Sequence, residues 1–239
     1  MITGEKIEDM LEESWENFIE YFDSNASRYS GEYFDEHLQG LEGKKVRREL
    51  KKLHWICWNE SDLMVQLSRY FYHQQRAESD SNKDFFNIEM HFDKNLNYHN
   101  FEGYSFEDKL WPTHDDLKKE LNKSGKFPHK YPKLDLIITC ENNFGPFLLC
   151  AEAKCFHTSF RGRVEEAIEK DIITLAAIKK LGITEKSAYI IFDDYYYNKN
   201  DPKNIRQLIC KYSKEHNIEN ELKILYHNSK SKLIDFWVI

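Results

Sequence analysis

Between residues 5 and 23 the apolar side chains Ile7, Met10, Leu11, Trp15, Phe18, Ile19 and Phe22 return every three or four positions, with acids between them. That period predicts a helix with one apolar and one acidic face, and the default place for the apolar face is against a core. Residues 24–43 are polar and contain Gly31, Gly40 and Gly43, consistent with a connector. A helical pattern resumes near Lys44, with Val46, Leu50 and Leu53 on one side, and a further helix is predicted over 59–75. The period then changes to two. Phe86, Ile88, Met90 and Phe92 alternate with Asn87, Glu89 and His91, which predicts a strand over 85–92. A polar stretch, 93–131, follows and includes a short helix expected to start at Thr113, with Asp116 three positions on as a capping box. Apolar runs at 134–139 and 147–156 predict two strands joined by a turn around Asn142, Asn143 and Gly145. A strong helix over 164–182 is expected to end at Gly182. Strand 187–195, helix 204–216 and strand 221–227 complete the chain. This order predicts one α/β domain over 59–239, with a helical N-terminal extension over 1–58.

With 239 residues, 41% hydrophobic and 15% aromatic, the chain can bury a substantial core. No apolar run approaches the length of a bilayer span, so no membrane partner is expected. The acidic N-terminus lacks the basic start and apolar stretch of a signal peptide, and the cytoplasm is the expected location. Five cysteines, an odd number in a chain of this size, argue against a disulfide framework, and no zinc-knuckle spacing is present.

The net charge of -7 is unevenly spread. Residues 1–42 hold twelve acids and two bases, a balance of -10 that leaves the remainder at +3. Residues 44–52 and 117–133 each carry six bases and one acid. Such runs are ordinarily solvated helix faces, yet phosphate attraction follows the local field and not the chain total.

The informative segment is YPKLDLIITCENNFGPFLLCAEAKCF. Asp135 stands early in one expected strand. Glu152 and Lys154 stand two apart on the next, so both side chains share a face. The hairpin between them can bring Asp135 alongside. Two carboxylates and an ammonium on an otherwise apolar sheet need compensation, and a divalent cation supplies it. Mg²⁺ takes oxygen ligands, keeps waters and makes a coordinated water more acidic, while a neighbouring ammonium favours charge growing on phosphate oxygens. The competing reading is an ordinary Glu–Lys pair on a solvated sheet face.

Pro132 and Asp135 spaced P-x-x-D, a turn, then Glu152-Ala153-Lys154 and a following helix together resemble the PD-(D/E)xK nuclease superfamily, over about residues 59–227. One departure is that Pro132 does not directly precede Asp135. The resemblance implies a restriction-endonuclease-like α/β core, a central mixed β-sheet flanked by helices. It implies Asp135 and Glu152 as ligands of Mg²⁺, with Mn²⁺ as substitute, and Lys154 as partner of the attacking water. The family often adds an acid from the preceding helix. Glu60 fits that role, because it lies on the same helical face as Leu63, Met64, Leu67 and Phe71, and Glu89 is its rival.

Further candidates surround this centre. Lys126, Lys130 and Lys133 lead into it, and Arg161 and Arg163 occupy the turn before the helix that carries Lys170 and Asp171; these bases are expected to contact phosphates. Tyr195, Tyr196 and Tyr197 follow a strand and could stack on bases or simply pack. His91 and His157 lack metal-ligand spacing. The expectation is an Mg²⁺-dependent endonuclease of restriction or anti-phage type acting on DNA, with RNA left open as substrate. Pairing to cut both strands would make it a homodimer through the helix at 5–23. The alternative is a binding or scaffolding module that kept the fold and lost turnover.

Overall fold

A computed structural model describes residues 2–26, 57, 59–95, 105–106, 109–110, 112, 114–126, 133–140, 146–156, 164–193, 202–228 and 233–238. Its centre is a six-stranded mixed sheet of β1 (Ile88–Asn95), β4 (Lys133–Cys140), β5 (Phe147–Phe156), β6 (Thr184–Asp193), β7 (Leu222–Asn228) and β8 (Leu233–Val238), in that spatial order. β1, β4 and β5 form an antiparallel meander; β5, β6 and β7 are parallel; β8 closes the edge antiparallel to β7. The two parallel crossovers are helical: α4 (Val164–Lys180) joins β5 to β6, and α5 (Pro202–Glu215) joins β6 to β7. The chain is α/β, with helices on both faces of the sheet.

The alternation of β5 explains this layering. Leu149, Ala151, Ala153 and Cys155 face one apolar cluster, which takes in α1 (Gly4–Ala26) and α2 (Glu60–Ser79). Cys150 and Phe156 face a second cluster with Ile168, Ile172 and Leu175 of α4, Ile205 and Ile209 of α5, and Leu117 of the short α3 (His114–Asn122). A strand buried on both faces reads as a continuous apolar run, as FLLCAEAKCF does apart from its two charges.

All seven apolar residues of the N-terminal helix are buried, with Trp15, Phe18 and Ile19 fully so. The close approach of α1 to the sheet depends on Gly4, whose missing Cβ would lie 2.6 Å from the Leu148 carbonyl oxygen. The Gly4 amide donates to Glu185 Oε2 at 2.7 Å, an acid at a helix N-terminus. At the other end Phe22 packs edge-on to Phe192, 4.8 Å between ring centroids. The helix expected as a dimer interface packs its apolar face on the protein's own sheet, as its period predicts, and leaves its acidic face for a partner. No helix among the described residues is long and apolar enough to cross a membrane.

Several boundaries differ from expectation for local reasons. Asn82 accepts from the Asp84 amide and starts a 3₁₀ turn over Lys83–Asn87, so β1 begins at Ile88 and not at Phe85. Phe92, expected on the buried face, is 41% exposed. Two short strands, β2 (Ser105–Phe106) and β3 (Lys109–Leu110), interrupt the polar stretch, and β8 extends the sheet past the expected last strand. Gly182 does end α4: at φ 68° it donates to the Lys179 carbonyl, while Ile183 donates to Ile178, the paired bonds of a Schellman cap. The helix expected near Lys44 and the turn at Asn142–Gly145 lie outside the described residues.

Candidate active site

The ladder between β4 and β5 runs from Ile138–Leu149 to Leu136–Ala151. Asp135 and Glu152 are the next residues along, where β4 stays with β1 as far as Lys133 while β5 continues beside β6 as far as Phe156. The sheet thus parts at Asp135. Parting would leave β5 amides without partners, and the Asp135 side chain meets one of them: the Ala153 N–H donates to Asp135 Oδ2 at 2.8 Å. By strand alternation Asp135, Glu152 and Lys154 share the face covered by α4, with Ile137 and Cys150. The sequence expectation that these three converge is met.

The group is enclosed. Glu152 is 4% exposed and hydrogen-bonds the Asp135 carboxyl. Burial, then the charges of Asp171 and Asp135, push the Glu152 carboxyl well above the usual range, with Lys154 pulling the other way. Lys154 is mostly buried, and its Nζ lies 3.0 Å from Asp171 Oδ2 and donates to the Ala153 carbonyl at 3.1 Å. Burial works to lower the Lys154 ammonium, yet Asp171, Glu152 and Asp135 outweigh it and hold it above the ordinary lysine range. The third carboxylate is Asp171, from the middle of α4. Burial raises it to about 6 against the pull of Lys154. Its Oδ2 also accepts from Tyr189 Oη at 3.0 Å, and Tyr189 stands on β6 in register with Glu152.

Asp171 is the site residue that the sequence reading named without giving it a role. Glu60, expected as the auxiliary acid, opens α2 on the opposite face of the sheet, next to its cap Asn59. The charges that bear most on Glu152 are Asp171, Asp135 and Lys154, and Glu60 does not join them. Glu89 is half-exposed and bonded to His91 at 3.2 Å, the solvated strand face that was its alternative reading. Lys126 meets Glu169 at 2.7 Å and Lys133 meets Asp93 at 3.0 Å, both at the surface, so each must leave an acid to reach a phosphate. Lys170 forms a surface pair with Glu166. Lys130, His157, Arg161, Arg163 and Tyr195–Tyr197 lie outside the described residues. All five cysteines are free.

Among the described residues no three His, Cys, Asp or Glu side chains are grouped as a metal cage. The available donors are two adjacent carboxylates, Asp135 and Glu152. Both are hard oxygen ligands, and one N–H bond to Asp135 leaves acceptor capacity over. Two carboxylates supplemented by water suit Mg²⁺, which retains much of its hydration.

Glu152 and Asp171 are buried and Asp135 half-buried around a single lysine, and the raised Glu152 carboxyl costs stability when ionised. A carboxyl whose folded pKa is raised favours folding below its unfolded pKa and loses that contribution as pH rises through the folded value. Glu152→Gln mimics the protonated form and can still donate to Asp135. Without metal it is expected to raise the thermal midpoint at about pH 8, with a smaller gain at about pH 5, where more of wild-type Glu152 is protonated. Calorimetry at the two pH values checks this; an equal or lower midpoint at pH 8 would show that the Glu152 charge is well compensated. No family model, curated protein or solved structure matches this chain.

Proposed function

We propose that the chain is a metal-dependent nuclease that hydrolyses phosphodiester bonds in DNA as an endonuclease, on a restriction-endonuclease-like core. The observation that carries this reading is the junction at Asp135: paired strands part, and two carboxylates and a lysine converge beside the parting. The order α2, β1, β4, β5, α4, β6 around it supports the same reading. So does the enclosure of the charges, since buried ionised groups are rarely kept without a task.

In this proposal Asp135 and Glu152 hold Mg²⁺, or Mn²⁺ in its place. The cation would neutralise the carboxylates and make water acidic enough to attack phosphorus. The remaining work belongs to the chain. Asp135 is oriented by the Ala153 amide, so its carboxyl has a fixed direction. Glu152 is held opposite Tyr189 on a strand paired on both sides of the ladder end. Lys154 spends two donors on Asp171 and the Ala153 carbonyl and keeps one for a phosphate oxygen or the attacking water.

The test is incubation of the protein with supercoiled plasmid, linear duplex, single-stranded DNA and RNA, with Mg²⁺, with Mn²⁺ and in EDTA. Nicked or linearised plasmid in Mg²⁺ and none in EDTA is the expected result. Cleavage of RNA alone would keep the chemistry and move the substrate. Intact substrates in every metal would reject the nuclease reading and leave a binding module.

A further inference from the structure

Lys154 has a four-carbon stem with many rotamers, and an ammonium that wanders cannot stabilise charge at one place. Three features of the structure restrict it. The lysine is mostly buried; its Nζ is shared between Asp171 Oδ2 and its neighbour's carbonyl; and Asp171 is itself held by the hydroxyl of a fully buried tyrosine. The chain of contacts crosses three elements: Tyr189 on β6, Asp171 on α4 and Lys154 on β5.

The placement of Asp171 needs explanation. It lies on the buried side of α4, three residues after Ile168 and four before Leu175, in a helix otherwise apolar along that stripe. A simple helix-surface role would put a carboxylate outward, as α4 does with Glu165 and Glu166. Asp171 faces the sheet and meets the Lys154 ammonium there.

We propose that Asp171, braced by Tyr189, is a positioning residue that fixes the Lys154 ammonium beside Asp135 and Glu152. This rests on the nuclease reading for its consequence, but not for its geometry. Asp171 need touch neither DNA nor metal. Its loss should leave binding of both intact and slow the reaction by leaving Lys154 disordered. Residues that orient a catalytic group from behind are typically worth about 10- to 100-fold in activity.

The experiment uses the full chain with Asp171→Asn and, as a milder second variant, Tyr189→Phe, which keeps the carboxylate and removes its brace. Two readouts are taken. The first is plasmid cleavage: kcat is expected to fall about 10- to 100-fold in Asp171→Asn and less in Tyr189→Phe, while KM for DNA and the half-saturating Mg²⁺ concentration stay within about twofold. The second is independent of cleavage: the acylation rate of the Lys154 amine by a small reagent, read by peptide mass spectrometry against Lys214. It is expected to be slow in wild type and at least about tenfold faster in Asp171→Asn. Full kcat in Asp171→Asn, or a loss lying entirely in KM, would overturn the proposal, as would unchanged acylation of Lys154. If wild type cleaves nothing, the nuclease reading fails and acylation alone decides: acceleration in the variants upholds Asp171 as the residue that fixes Lys154, and its absence overturns it.

Discussion

Lys154→Ala is expected to reduce plasmid cleavage to background. A positioned donor aimed at developing charge is worth on the order of 10²–10³ in kcat, about 2.7–4 kcal/mol, and here the same ammonium also offsets carboxylates that repel a phosphate. The variant should not be assumed neutral for folding. Removing Lys154 leaves Asp171 buried without its cation, a change that destabilises when the acid stays ionised. Asp171, already raised to about 6, relieves part of that by taking up a proton. Lys154→Met, which keeps most of the stem, and Lys154→Ala combined with Asp171→Asn separate the two effects. Both should match wild type by circular dichroism at 25 °C and remain inactive. Wild-type turnover in either, measured well below the unfolding midpoint, would remove Lys154 from the reaction.

The same buried pair shows what was legible in the sequence. Glu152, Lys154 and Asp135 could be read because two charges broke an apolar strand at spacing two and an acid stood one strand earlier. Strand alternation then dictates a shared face, and the structure has it. α1 and α4 could be read because their apolar residues kept a helical period over many turns, and Gly182 marked the end of α4. Asp171 sat inside that strong helical pattern, where an acid is easily taken for part of the solvated face. The available signal was its phase: it falls on the stripe of Ile168, Ile172 and Leu175. β2 and β3 are two residues each, too short to leave any period. β8 is an apolar hexapeptide interrupted by Asp235, and Asn228, Ser229 and Ser231 ahead of it were the available turn signal. Its Trp237 is covered by the Arg206 guanidinium at 4.7 Å, a contact made by folding and invisible in the sequence. The choice between Glu60 and Glu89 as auxiliary acid turned on which helix or strand covers which face. One sequence does not contain that information, and the structure gave the place to neither.

Asp135→Asn is expected to bind DNA more tightly than wild type in EDTA and to be inactive in Mg²⁺. Without metal, two carboxylates stand where a phosphate must approach. Unit charges 4 Å apart interact by about 4 kcal/mol at an effective dielectric near 20, so even partial relief should be visible as a tenfold change, about 1.4 kcal/mol. Asparagine keeps the shape, and its carbonyl oxygen can still accept the Ala153 N–H, so the parting of β4 from β5 should survive. The state of Glu152 then sets a pH dependence. Its carboxyl is raised by burial and by its acidic neighbours, so at low pH it is already neutral and part of the repulsion is gone. As pH rises through that raised value the wild-type site gains a charge and binds DNA more weakly. Asp135→Asn removes one of the charges responsible. The two dissociation constants in EDTA should differ in favour of the variant across neutral pH, which fluorescence anisotropy at fixed ionic strength can follow. In Mg²⁺ the order should reverse, because the variant has one carboxylate fewer for the cation. A ratio near one at every pH would mean that Asp135 does not face the phosphate, and the site geometry would fail even if the chain cleaves DNA.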